Sequence, residues 1–269
     1  MNIKIKIKQF LARIILRLGK SRAVQSCIVG PLSLNRIIQT NALAQKLNAK
    51  AFSQYKGVNS GKDMVLFATG PSLASYKPID GCIKVGVNHA FLKIPDLDFF
   101  FATDYRSLAP VMEQLRKYNE DCRKFLGISW SHLHLWDAAI PESVVLELGA
   151  ERFVVDYAVN SSSFSSAYTY PFDISVQPLT GGGSVAFVAI QFMLWTNPRR
   201  IYLVGCDCSA NGHFMSEQLI KNPPSPEYYK SLVEPWKRIK QFADRLYPST
   251  EIISVNPVGL RGLFRDIDQ

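Results

Sequence analysis

Three short stretches hold the residues best suited to chemistry. Val204-Gly205-Cys206-Asp207-Cys208-Ser209-Ala210-Asn211-Gly212-His213-Phe214 follows the apolar run IYLV, which puts Asp207 at the carboxyl end of a strand, where open α/β sheets bind ligands. His213 stands in the next loop. An imidazole there can accept a proton near neutral pH, with Asp207 orienting it or holding a ligand hydroxyl; the plainer reading is a solvated loop side chain. Thr180-Gly181-Gly182-Gly183-Ser184 runs straight into the apolar VAFVAIQFMLW. Successive glycines ahead of a helix leave backbone N–H groups free at the positive end of its dipole, so an anion is the expected occupant. Close helix packing accounts for one or two small residues more readily than for three glycines. Ala68-Thr69-Gly70-Pro71-Ser72-Leu73 follows another apolar run; Gly70 would let the backbone approach a ligand, and Ser72 offers a hydroxyl to a phosphate or caps a turn.

Two more polar residues, Asn88 and Asp104, end the second and third expected strands, as residues that hold sugars or nucleotides do. Asp96-Leu97-Asp98 has the spacing of a metal-binding DxD, but it precedes its strand and is set aside. Cys206 and Cys208 flank Asp207 near His213. The five cysteines are odd in number and contain no CxxC, so neither zinc nor a disulfide framework is expected, and a reducing compartment is the simpler setting.

These residues need a scaffold. Strands are expected at 64–68, 82–87, 97–102, 125–129, 153–156, 201–204 and 251–255, and helices at 107–118, 141–148, 184–195 and 235–246. Strands alternating with helices predict a mostly parallel, Rossmann-like α/β sheet covered on both faces. Residues 160–170, rich in Ser and Tyr, and 212–229, with Pro223, Pro224 and Pro226, break the rhythm; each is either a plain surface loop or a lid.

The 269 residues are 47% apolar and 20% charged, which suits a folded chain with its own core and excludes a disordered or collagenous one. The charge is uneven. Residues 1–62 carry eight Lys, four Arg and no carboxylate, a net +12, and the rest sums to −3. A nucleic-acid-binding domain spreads positive charge over its binding face, so no nucleic-acid partner is expected. Two segments follow: a basic N-terminal segment and linker, 1–62, and a Rossmann-like domain, 63–269. Within residues 3–22, Ile7, Phe10, Leu11, Ile14, Ile15 and Leu18 recur at helical spacing among Lys and Arg. That amphipathic helix is too interrupted to span a membrane and lacks the features of a signal peptide. It suits an anionic membrane surface, which would place the protein in the cytoplasm at the inner face of the cell membrane. Packing on the domain or a second subunit, and an organellar transit peptide, are the alternatives.

In this order, the strand followed by GPSL, the strand ending in Asn88, FFFATD, TGGGSVAFVAIQFMLW, RIYLVGCDCS and NGHF resemble the bacterial sialyltransferases of glycosyltransferase family 42. They resemble still more the domain of unknown function 115 of Maf-type flagellin glycosyltransferases. The resemblance covers about residues 63–260. It implies an inverting, metal-independent glycosyltransferase that takes a CMP-activated nonulosonic acid as substrate, needs no cofactor, and glycosylates a surface-glycan or lipid-linked acceptor. It further implies that Gly70, Pro71 and Ser72 lie against the nucleotide and Asn88 contacts the donor. Thr180, Gly181 and Gly182 would lie near the phosphate, and Asn256 and Pro257 would border the cytidine or ribose. Two departures stand out. The tyrosines that support the leaving phosphate in the sialyltransferases are matched by Ser209 and Met215, and their base histidine falls in a region holding Tyr228, Tyr229 and Lys230. His213 fits the wider family's pattern instead and is the expected base. Two rivals remain: an ATP- and Mg-dependent enzyme like the archaeal 6-hydroxymethylpterin diphosphokinase, with Asp104 and Asp207 as metal ligands, and a non-catalytic membrane-associated scaffold.

Overall fold

The computed structural model describes residues 30–129, 139–156, 170–209, 212–214 and 225–269, with backbone alone for 30–37. The basic segment 3–22, nearly all of the stretch 160–170, and residues 215–224 lie outside them.

Among the described residues, nine strands form one sheet in the order β6-β5-β4-β3-β2-β1-β7-β8-β9, and every pairing is parallel. The strands are β1 (Asp63–Phe67), β2 (Ile83–Val87), β3 (Phe99–Ala102), β4 (Arg123–Ser129), β5 (Glu151–Asp156), β6 (Leu179–Thr180), β7 (Arg200–Val204), β8 (Glu251–Val255) and β9 (Arg265–Ile267). The helices are α1 (Gly30–Phe52), α2 (Tyr105–Leu108), α3 (Met112–Arg116), α4 (Glu142–Glu147), α5 (Val185–Trp195), α6 (Pro226–Ser231) and α7 (Val233–Leu246). The expected α/β class holds.

The central strands read as continuous apolar runs because both of their faces are covered. Met64 and Leu66 of β1 point into a core shared with Phe52 of α1, all eleven residues of α5 except Gln191, and Trp236 and Ile239 of α7. Val65 and Phe67 point the other way, toward Leu108, Met112, Leu115, Val144 and Val145 of α2 to α4. Helix α5 is buried on every side, so it needs no polar face and shows no amphipathic stripe. Helix α7 is two-sided: Trp236, Ile239 and Ala243 face inward at spacings of three and four.

The segment read as a linker contributes to this domain. Phe52 is fully buried, its ring within 5.4 to 5.8 Å of Phe125, Phe153 and Phe192. Asn48 donates to the carbonyls of Ile174 and Gln177 at 3.0 and 2.8 Å and accepts from Val154 N–H at 2.8 Å. Among the described residues two-residue β6 pairs only with Val155 and Asp156, and Asn48 bonds the next backbone N–H of β5 inward, that of Val154. The charge break at residue 62 therefore does not mark where packing begins. A second difference lies at 107–118: Pro110 supplies no N–H, and the expected helix is cut into α2, a 3₁₀ turn and α3.

Candidate active site

In this sheet the strand order reverses between β1 and β7. From β1 the chain builds outward through β2, and from β7 it builds the opposite way through β8, so the loops leaving β1 and β7 diverge and open a crevice at their carboxyl ends. The crevice is lined by Thr69 and Gly70 after β1, Gly205 to Ser209 and His213 after β7, Ser184 and Ala186 at the start of α5, and Tyr229 and Trp236.

Asp207 is the anchor of the two loops. It is 4% exposed, and its carboxylate accepts from the backbone N–H of Ser72 at 2.8 Å and the hydroxyl of Ser72 at 2.5 Å. Gly70 leaves room for it: a Cβ there would stand 2.5 Å from Asp207 Oδ2 and 2.5 Å from the Gly205 carbonyl. This glycine thus admits a carboxylate of the chain itself. Burial raises the pKa of Asp207, and the two Ser72 bonds oppose the shift. The Ser72 hydroxyl hydrogen goes to Asp207, which ties the carboxylate to the turn. Gly259 N–H donates to the Asp207 carbonyl at 2.7 Å, joining the turn after β8 to the same point.

His213 is held by Thr69 rather than by Asp207. Its Nδ1 lies 2.6 Å from Thr69 Oγ1 and 3.3 Å from the Thr69 carbonyl, while Phe214 N–H donates to that carbonyl at 2.9 Å. The Thr69 carbonyl accepts from His213 in the tautomer that carries its proton on Nδ1, and in that tautomer the lone pair is on Nε2, which bonds to none of the described residues. Burial lowers the pKa of His213, the Thr69 bond opposes that, and His89 adds to the lowering. A neutral imidazole at pH 7 with a free Nε2 is able to accept a proton.

The glycine loop is held from behind. Buried Gln191 accepts from Thr180 N–H at 3.0 Å and donates to the Thr180 carbonyl at 2.8 Å, and Gly181 N–H donates to the Asp156 carbonyl at 3.1 Å. Gly182 has φ +55°, and a Cβ there would meet the Phe187 ring at 2.6 Å, so left-handed backbone and close helix packing both demand glycine. Ser184 caps α5 by accepting from Ala186 N–H at 3.3 Å, and Tyr228 donates its hydroxyl to the Gly183 carbonyl.

The expected site residues divide into three groups. Gly70, Ser184, Asp207 and His213 line the cleft. Pro71 and Ser72 start the 3₁₀ turn Pro71–Ser75 behind Asp207, and Thr180, Gly181, Gly182 and Gly183 form the support of α5. The others end neighbouring strands. Asn88 has φ +49° and a buried Oδ1 without a partner among the described residues. Asp104 caps α2 through Arg106 N–H at 2.8 Å and pairs with the Arg106 guanidinium at 2.8 Å. Asn256 has φ +48° and accepts from Gln269 N–H at 2.7 Å, and Pro257 beside it is buried. Asp96 and Asp98 precede β3, at the amino-terminal end of the strands, bonded to Lys84. Burial pushes the Cys208 thiol up to about 12 and raises Cys206 as well, so neither is a thiolate at neutral pH. The residue types alone did not single out Thr69 and Gln191. Thr69 lies inside the ATGPSL motif, and Gln191 is the lone polar residue of an otherwise apolar helix, which is the signal that could have found it.

No family model matches this chain, and no curated protein matches it. Among solved structures, the Maf glycosyltransferase from Magnetospirillum magneticum AMB-1 is similar at 14% identity and a TM-score of 0.46, over 85% of this chain. This chain spans 38% of the length of that one.

Proposed function

We propose that this protein is a glycosyltransferase that moves a sugar from a nucleotide donor, a CMP-activated nonulosonic acid, to a hydroxyl of a surface-glycan or lipid-linked acceptor. The observation that carries the reading is the meeting, at the strand-order reversal, of a helix N-terminus with a buried histidine held through Nδ1. The sequence resemblance supplies the donor class. The positive end of α5 suits the phosphate of the donor, and His213 suits the acceptor hydroxyl.

In the reaction His213 Nε2 takes the acceptor proton as the acceptor oxygen bonds to the anomeric carbon. The bond from that carbon to the phosphate oxygen breaks with its electron pair, and CMP leaves carrying the added charge toward α5. Attack opposite the leaving group inverts the anomeric centre. A monophosphate leaving group develops less charge than a diphosphate, so backbone and hydroxyl donors can serve where a diphosphate often recruits a divalent ion. Asp207 acts as a positioning residue: it fixes the turn that carries Thr69, and Thr69 fixes His213.

The test is a thermal-shift panel of the full chain with CMP, CDP, UDP, GDP and ATP, with and without Mg²⁺. Selective, metal-independent stabilisation by CMP is expected, about 2.7 kcal/mol at a hundred times the dissociation constant. Stabilisation by ATP only with Mg²⁺ would point to a diphosphokinase, and no response to any of the five would overturn the transferase reading.

A further inference from the structure

One polar group in the cleft has no use in the scheme above. Tyr229 is 9% exposed and lines the cleft with Ser184, Asp207 and His213, yet its buried hydroxyl has no hydrogen-bond partner among the described residues. The sequence places it deliberately. Ser225 caps α6 by accepting from Tyr228 N–H at 3.3 Å, and Pro226 occupies the first turn, where its missing N–H costs nothing. Tyr228 ties α6 to the glycine loop through the Gly183 carbonyl. The next side chain, Tyr229, then meets the ring of His213 edge to face, with centroids 5.8 Å apart and planes at 77°.

A buried phenol without an acceptor is unfavourable in an empty site and favourable once a ligand supplies the acceptor. Burial also raises its pKa, so at neutral pH it is a donor. The start of α5 in the same cleft calls for an acceptor too, whereas His213 Nε2 calls for a donor. A phosphate oxygen meets the first two needs, and a neighbouring hydroxyl meets the third.

Resting on the glycosyltransferase reading, we infer that Tyr229 is a ligand-binding residue whose hydroxyl donates to a phosphate oxygen of the nucleotide, beside the N-terminus of α5. The chain thereby uses a tyrosine from α6 for the leaving phosphate.

The test compares wild type and Tyr229→Phe by calorimetric titration of the full chain with CMP and with cytidine. The substitution keeps the ring and its contact with His213. CMP affinity is expected to fall about ten- to a hundredfold, the range of a hydrogen bond to a charged group, and cytidine affinity is expected to stay within twofold. Unchanged CMP affinity, or equal weakening of both ligands, overturns the inference. The melting temperature without ligand separates binding from architecture: removing an unpartnered hydroxyl should leave it unchanged or raise it, and a clear drop would mean that the hydroxyl serves the fold. If the wild type binds UMP or AMP instead of CMP, the CMP reading fails while the same comparison, monophosphate against its nucleoside, still judges Tyr229. If it binds no nucleoside monophosphate, both fail.

Discussion

His213 gives the most direct handle on the proposed chemistry, because Thr69 engages only its Nδ1 and none of the described residues bonds to Nε2. His213→Gln keeps a side chain able to reach Thr69 but removes the proposed base, so kcat is expected to fall about 10² to 10⁴-fold with KM for the donor little changed. The sign of the pH dependence follows from burial. The imidazole must be neutral to act, and burial moves its pKa down from 6.5, so activity should fall as pH drops through a value below 6.5. That acid limb should disappear from the residual activity of His213→Gln; a limb that persists assigns the titration to another group. Asp207 and His213 were legible in the sequence because a polar residue at a strand end and a histidine in the following loop are local features. Their connection was not. Asp207 was expected to orient the imidazole or to hold a ligand hydroxyl; the partner of the imidazole is Thr69, 144 residues along the chain, and the pairing of β1 with β7 brings the two together.

At the scale of elements, a few buried polar side chains join pieces that the apolar pattern alone would leave loosely related. Asn48 is the clearest, joining α1 to β5 and to the loop before β6. Asn48→Ala leaves two buried backbone groups and one partly buried group without this partner and should destabilise the fold by about 2–4 kcal/mol, read as a lower denaturant midpoint with an unchanged slope. A loss under about 0.5 kcal/mol would show that other contacts make this junction. The seven longer strands were legible because each is a short apolar run between turn residues. β6 and β9, of two and three residues, carry too little pattern to stand out. Helix α1 was hidden by its charge: lysines at 46 and 50 made the stretch read as part of a solvated arm, while Ala44, Ala51 and Phe52 supply its buried side. Helix α6 was hidden by the prolines before and at its start, although a first-turn proline is compatible with a helix.

At the scale of the whole molecule, a near-neutral body follows a strongly basic beginning, and among the described residues no helix is long and apolar enough to cross a membrane. The proposed attachment of residues 3–22 to anionic lipid predicts that the full chain cosediments with vesicles containing phosphatidylserine, less so at high salt. Removing residues 1–24 takes away seven basic side chains, each contributing about 1 kcal/mol near such a surface, and should abolish cosedimentation; equal binding by both chains would refute the attachment. The position of β1 between β2 and β7 also governs how the molecule is made. Asp63 stands opposite Arg200, so a chain emerging from the ribosome completes β2 to β6 and α5 before the second neighbour of β1 exists. Until then the hydrophobic strand that bears Thr69 and Gly70 presents an open hydrogen-bonding edge, a hazard for intermolecular pairing that grows with every pause in translation. The binding crevice and the protection of that edge arise in the same late event, so synthesis that stops short of β7 yields a species that is both inactive and prone to aggregate.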